Sequence, residues 1–165
     1  MSNIESLFPD ESMTIMIVDD TTENINVLRL TLANFGCKIA VALNGKMALD
    51  LIPKLKPDLI LLDVMMPGIN GFDVCRTLKK DPDLKDIPVI FITANGDSNH
   101  VVEGFEAGAV DFIVKPFRTE EVCARVKTHL SLSAALRKLI QSNETDPLTG
   151  LFNRRAFMKK AETEV

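Results

Sequence analysis

Short apolar runs and longer stretches of mixed polarity alternate along most of this chain. The apolar runs are candidate strands, and they lie at 13–18, 37–42, 59–62, 88–92 and 110–114. Between them, apolar residues recur every three or four positions, as they do on the buried face of a helix. The first such stretch carries Ile25, Leu28 and Leu32, with Thr22 as a capping residue and Gly36 after its end. Strict alternation of strand and helix predicts an α/β fold, a doubly wound parallel sheet with helices on both faces.

Polar residues follow four of the five apolar runs at the point where each run ends. Asp19 and Asp20 follow the first run, Asp63 the third, Thr93 the fourth and Lys115 the fifth. Each residue alone has an ordinary explanation as a helix cap, a turn residue or a solvated strand end. In a parallel sheet, however, the carboxyl ends of all strands lie at one edge, where ligands bind. Their joint placement therefore predicts a functional site with three carboxylates, a hydroxyl and an ammonium group.

This set of groups indicates phosphoryl chemistry. Neighbouring carboxylates raise one another's pKa values unless a cation compensates them, and Mg²⁺ prefers such oxygen ligands. A carboxylate such as that of Asp63 can act as a nucleophile toward a phosphoryl group and form an aspartyl phosphate. Lys115 and the Thr93 hydroxyl could then stabilise the phosphoryl oxygens.

The strand-end residues extend into longer motifs. These are Asp19-Asp20, Asp63-Val64-Met65-Met66-Pro67 with Asn70-Gly71, Thr93-Ala94, and Lys115-Pro116-Phe117. With these motifs, residues 13–135 resemble the receiver domain of bacterial response regulators. The resemblance implies a flavodoxin-like (βα)5 sheet with strand order 2-1-3-4-5. It also implies that Asp63 accepts a phosphoryl group from a sensor histidine kinase or a phosphotransfer protein.

The same resemblance assigns a Mg²⁺ site. It implies that Asp20, Asp63 and the backbone carbonyl of Met65 ligate the ion, with Asp19 nearby through water. Lys115 is implied to bridge to the phosphoryl group, and the family tends to have a cis peptide before the proline that follows.

Three further residues have implied roles in the response to phosphorylation. Thr93 is implied to move toward the phosphoryl group, and Ala94 is small enough to leave room beside it. Phe112 occupies the place of the family's aromatic switch, implied to fill the space that Thr93 vacates. Ordinary core packing is the alternative explanation for this phenylalanine.

Composition and charge narrow the class of protein. The net charge of −4 gives no basic footprint, so nucleic-acid binding is not expected. No apolar run approaches the roughly 20 residues that a membrane helix needs, and residues 1–11 lack the features of a secretory signal. The cysteines lie singly, at Cys37, Cys75 and Cys123, and form no disulfide framework. A cytoplasmic location is therefore expected.

The chain is expected to have four parts. Residues 1–11 are predicted to be a flexible leader, 12–133 the receiver, 134–144 a linker helix, and 145–165 the start of an output domain. The sequence from Thr145 to Arg155 resembles the opening of a GGDEF domain, the diguanylate cyclase fold. The Gly-Gly dipeptide of that domain's signature occurs nowhere in the chain. We therefore expect this chain to come from a receiver–GGDEF regulator that is truncated after the first GGDEF residues. The truncated chain is not expected to make cyclic di-GMP itself.

Leucines in the last predicted helix suggest a means of self-association. Leu132, Leu136 and Leu139 are spaced by four and three residues, like a short coiled-coil seam. A helix docked on its own domain is the alternative. The preferred hypothesis is that phosphorylation switches homodimerisation through this helix or the adjacent receiver face, and so controls the cyclase.

Two other functions stay open. One is a stand-alone receiver that acts by binding another protein. The other is a phosphohydrolase of the haloacid-dehalogenase type, but its D-x-D-x-T motif is broken here, because Thr21 stands where the second aspartate is required. As a receiver, the chain is expected to have no enzymatic activity apart from phosphorylation and dephosphorylation of its own Asp63.

Overall fold

The computed structural model describes residues 12–94 and 96–144. The predicted leader at 1–11 and the GGDEF-like segment at 145–165 lie outside these residues. The described strands and α-helices are β1 (Thr14–Val18), α1 (Thr22–Leu32), β2 (Lys38–Ala42), α2 (Gly45–Leu55), β3 (Leu59–Asp63), α3 (Gly71–Lys79), β4 (Val89–Thr93), α4 (Ser98–Ala107), β5 (Asp111–Val114) and α5 (Thr119–Glu144), and a short 3-10 helix (Ala33–Phe35) follows α1. No helix among them combines the length and the apolar character needed to cross a membrane.

The strands form one parallel sheet in the order β2-β1-β3-β4-β5. This order confirms the flavodoxin-like topology. Because β1 lies between β2 and β3, the direction in which the chain winds reverses at β1. A crevice opens at the carboxyl end of the sheet at such a reversal, and ligands bind there in folds of this kind.

Helices cover both faces of the sheet. One apolar cluster packs α1 and the first half of α5 against one face, through residues such as Leu28 and Val126. The other packs α2, α3 and α4 against the opposite face, through residues such as Ile52 and Leu78. Every residue of β3 and β4 is buried, whereas the edge strand β2 is mostly half-buried. The central strands are continuously apolar in sequence because both of their faces are covered.

Short polar side chains cap the N-termini of several helices. Asn44, Asn70 and Asp97 each accept a backbone N–H of the first turn of α2, α3 and α4, at 2.8 to 2.9 Å. At α1 the predicted cap was wrong by one residue. Thr21 is the capping residue and Thr22 is the first residue of the helix. The chain enters the helix one residue earlier because the Thr21 N–H is held by the carboxylate of Asp19, at 2.9 Å.

The last helix, α5, runs unbroken for 26 residues. Its first half is docked, with Val122, Val126 and Leu130 fully buried against the sheet. Its second half presents apolar side chains to solvent, since Leu132, Leu136, Leu139 and Ile140 are about half exposed. The helix continues without a break across the predicted boundary between residues 133 and 134, and that boundary stays a prediction.

Candidate functional site

The predicted site residues meet at the carboxyl edge of four adjacent strands. Val18 pairs with Leu62, which sets Asp19 beside Asp63 at the ends of β1 and β3. Asp63 in turn pairs with Ile92, and Thr93 at the end of β4 pairs with Val114. Lys115 follows Val114, and its backbone N–H donates to the Thr93 carbonyl at 2.8 Å. The convergence expected from the sequence is therefore present in the structure.

Three carboxylates form the centre of this edge. One oxygen from each of Asp19, Asp20 and Asp63 lies within 4.8 Å of the others. Asp19 and Asp63 are buried, at 1% and 3% exposure, whereas Asp20 is exposed. The cluster thus has a buried floor and one carboxylate open to solvent, so an ion could enter from outside.

Asp19 is fixed by its neighbours. Its Oδ1 accepts the Thr21 N–H at 2.9 Å, and its Oδ2 accepts the side-chain amide of Asn24 at 3.3 Å. The ammonium of Lys115 lies 3.7 Å from the same Oδ2. Sequence reasoning missed Asn24, because it lies inside a helix and follows no strand end.

Asp63 carries a strongly perturbed carboxyl group. Burial and the nearby charge of Asp19 raise its pKa to about 6, and this is the net result after Lys115 and the Met65 N–H lower it. Lys115 Nζ and the Met65 N–H both lie 3.4 Å from Asp63 Oδ1, so neither hydrogen bond is short. A single lysine therefore serves two buried carboxylates and compensates them incompletely. The hard oxygen donors and the uncompensated negative charge fit a divalent cation such as Mg²⁺.

The loop between β3 and α3 passes close behind Asp63. A methyl group added at Gly71 would overlap the Asp63 carbonyl oxygen and lie 2.9 Å from Val64 Cα. The Gly71 N–H donates to the Val64 carbonyl at 2.9 Å, which closes the loop. The loop carries Met65, a residue that is 66% exposed at the rim of the site. The backbone approach explains why a glycine stands at residue 71.

The strand-end residues on β4 and β5 line the other side of the site. Thr93 is fully buried, whereas Ala94 is exposed beside it. The Lys115–Pro116 peptide is cis, as the resemblance implied.

Phe112 is packed inward. It is 8% exposed, and its ring centre lies 5.5 Å from that of Phe91 and 5.4 Å from that of Phe105. Its ring lies directly over Gly104 of α4, where an added methyl group would overlap ring carbon Cζ. Phe112 is thus part of the core, and its role as a switch stays a prediction.

Residues 15–127 match the family model of the response regulator receiver domain. The chain belongs to this family. Receiver domains take phosphoryl groups from histidine kinases, bind Mg²⁺ at an acidic site and are not catalytic enzymes in themselves. This family assignment argues against the phosphohydrolase of the haloacid-dehalogenase type that was considered from the sequence.

Individual relatives support the same family. The chain is 43% identical over 116 residues to the DNA-binding response regulator MtrA of Mycobacterium tuberculosis, covering 70% of this chain and 50% of that protein. It is 39% identical over 130 residues to the response regulator PleD of Caulobacter vibrioides, covering 79% of this chain and 29% of that protein. The chain thus spans half or less of the length of these relatives.

A solved structure shows the same architecture. The signal receiver domain of a signal transduction histidine kinase from Syntrophus aciditrophicus is 39% identical, with a TM-score of 0.67. That match covers 72% of this chain and 90% of the other.

Proposed function

We propose that Asp63 is the phosphoacceptor of this receiver and takes its phosphoryl group from a phosphohistidine of a sensor histidine kinase or phosphotransfer protein. The observation that carries the proposal is the buried carboxylate of Asp63, set beside Asp19, Asp20 and Lys115 at the sheet edge. Asp19, Asp20, Asp63 and the Met65 backbone carbonyl are the proposed Mg²⁺ site. When bound, Mg²⁺ would supply positive charge for the phosphoryl oxygens.

The residues of the chain have separate tasks in this transfer. The pKa of Asp63, about 6, leaves the carboxylate mostly ionised at pH 7 and able to attack phosphorus. The phosphorus–nitrogen bond of the phosphohistidine breaks, and the imidazole leaves. Lys115 lies 3.4 Å from Asp63 and can turn its ammonium to a phosphoryl oxygen. The Thr93 hydroxyl would donate to another phosphoryl oxygen, and the small side chain of Ala94 leaves space for the group.

The phosphoacceptor is tested by mass spectrometry after incubation with acetyl phosphate and Mg²⁺. Wild type should gain the mass of one phosphoryl group, and Asp63→Asn should gain none. Asp50→Asn is a matched control, because Asp50 is an exposed aspartate on α2 away from the site. It should be modified like wild type. Equal modification of Asp63→Asn and wild type would contradict the assignment.

Phe112 and Thr93 form the proposed switch. The ring of Phe112 is already buried over Gly104, so phosphorylation would fix this position rather than create it. We expect Gly104→Ala to displace the ring, because the added methyl group takes its space. Fluorine NMR of fluorophenylalanine-labelled protein would show this as a shift of the Phe112 resonance, assigned with Phe112→Leu. An unchanged resonance in Gly104→Ala would contradict the proposed contact.

Dimerisation through α5 is the proposed output of the switch. Three leucines with coiled-coil spacing, at 132, 136 and 139, are each more than half exposed. Light scattering with acetyl phosphate and Mg²⁺ should show dimers of wild type and monomers of Asp63→Asn. Leu136→Glu should be phosphorylated yet remain monomeric, because a charge would enter the seam. Equal self-association with and without phosphorylation would refute the dimerisation switch.

The proposed parent protein is a receiver–GGDEF regulator in the cytoplasm. The support is the resemblance of residues 145–155 to the opening of a GGDEF domain, together with the partial coverage of longer relatives. In this proposal, dimerisation brings two cyclase domains together. Sequencing the gene beyond codon 165 tests it, followed by an assay of the longer protein for cyclic di-GMP. A gene that ends there would favour the stand-alone receiver instead.

A further inference from the structure

Asn24 reaches the acidic site from the start of α1. It lies in the first turn of the helix, directly before Ile25, which is buried together with Leu28. Its side-chain amide donates to Asp19 Oδ2 at 3.3 Å. Asp19 is 1% exposed, so the orientation of its carboxylate depends on protein donors and not on solvent.

Helix capping does not account for this contact. Thr21, the capping residue of α1, makes no capping bond with its side chain. A polar residue at the third helical position often reaches back to the N–H of the capping residue. Here that N–H already donates to Asp19 Oδ1 at 2.9 Å, and the amide of Asn24 goes to the other oxygen. Thr21 and Asn24 together therefore hold both oxygens of Asp19.

Lys115 cannot replace Asn24 in this task. Its ammonium is shared, 3.7 Å from Asp19 Oδ2 and 3.4 Å from Asp63 Oδ1. In the proposed transfer, this ammonium turns toward the phosphoryl group. The amide of Asn24 has no such second task, so it can hold the Asp19 carboxylate before and after phosphorylation.

We propose that Asn24 is a positioning residue, which holds the Asp19 carboxylate in the orientation that Mg²⁺ binding requires. The proposal rests on the proposed function of the acidic cluster as a Mg²⁺ site. Groups that orient metal ligands from behind typically change metal affinity by about 10- to 100-fold when removed. Because the Asn24 contact is long, at 3.3 Å, and the resemblance implies that Asp19 would meet the ion through water, we expect the lower end of that range.

The test is a double-mutant cycle on Mg²⁺ affinity, measured by isothermal titration calorimetry. Asn24→Ala should weaken Mg²⁺ binding about tenfold, and Asn24→Gln should recover most of the loss because it keeps the amide. Asn26→Ala is the matched control, since Asn26 is an exposed asparagine on the same helix. It should bind Mg²⁺ like wild type.

Measuring Asn24→Ala in a variant that lacks the Asp19 carboxylate separates positioning of Asp19 from a general effect on α1. In Asp19→Ala, which has no side-chain acceptor at residue 19, the further change Asn24→Ala should alter Mg²⁺ affinity by less than about twofold. An equal loss in both backgrounds, or no loss in wild type, would overturn the inference and leave the Mg²⁺ site intact. A wild-type protein that binds no Mg²⁺ would overturn the site and the inference together.

Discussion

Asp63→Asn keeps the size of the side chain at residue 63 and removes its charge, so it measures what that charge costs the fold. In the folded protein, burial and Asp19 raise the pKa of Asp63 from 3.8 to about 6. Each pKa unit corresponds to about 1.4 kcal/mol, so the ionised carboxylate destabilises the Mg²⁺-free protein by about 3 kcal/mol at pH 7. The side chain is only 4% exposed, so solvent screens this cost weakly.

The sign of the pH dependence follows from the raised pKa. Between about pH 4 and pH 6 the folded chain holds a proton on Asp63 that the unfolded chain has lost. The free energy of unfolding of wild type therefore falls as the pH rises through this window, relative to Asp63→Asn. At pH 4 the free energies of unfolding of the variant and of wild type should be nearly equal. The variant should be more stable by up to about 3 kcal/mol above pH 6, and by roughly half of that difference at pH 5.

Urea unfolding in EDTA, followed by far-ultraviolet circular dichroism, measures this difference. Intrinsic fluorescence is unsuitable because the chain has no Trp and no Tyr. Asp50→Asn, an exposed aspartate on α2, controls for the loss of one negative charge at the surface. Added Mg²⁺ should stabilise wild type and narrow the gap, since a ligand that binds only the folded state favours it. A gap that does not change with pH, or an Asp63→Asn variant less stable than wild type at pH 7, would refute the reasoning.

Three further substitutions test a close backbone contact, the central core and an ion pair of the fold. Gly71→Ala should lower the free energy of unfolding by about 2 kcal/mol in urea unfolding, because its methyl group meets the backbone of Asp63 and the loop must move. Leu61→Ala should lower it by about 2 to 5 kcal/mol, because Leu61 is fully buried in the central strand. Arg125→Ala should cost about 1 kcal/mol at pH 7, because it breaks a 2.6 Å contact of a half-exposed arginine with Asp111. The pKa of Asp111 is lowered in the fold, so this last loss should shrink as the pH falls below about 4, and a pH-independent loss would contradict the ion pair.

The sheet and its reactive edge could be predicted from the sequence because buried parallel strands are visible as unbroken apolar runs. The residue directly after each run then lies at the edge, whatever the details of packing. This rule located Asp19, Asp63, Thr93 and Lys115 without any knowledge of distances.

Contacts that depend on how a helix is rotated against that edge could not be predicted in the same way. Asn24 lies in the first turn of α1, and its contact with Asp19 depends on how that turn is rotated toward the sheet edge. The close backbone approach at Gly71 depends on the path of the loop, and its glycine has no side-chain pattern to reveal it. The sharing of Lys115 between Asp19 and Asp63 likewise depends on distances that strand patterns do not contain.

Because α5 is unbroken, the direction in which its last residues face is set by the number of helical residues between them and the sheet. Each helical residue advances the axis by about 1.5 Å and turns it by about 100°, so the half of α5 beyond Leu130 acts as a stiff lever about 20 Å long. A rotation of the docked half at the sheet would also turn the end of the helix at Glu144, because no glycine or proline interrupts the helix. Inserting seven residues after Leu132 would lengthen the lever yet nearly keep its facing, whereas inserting two would turn its end to the opposite side.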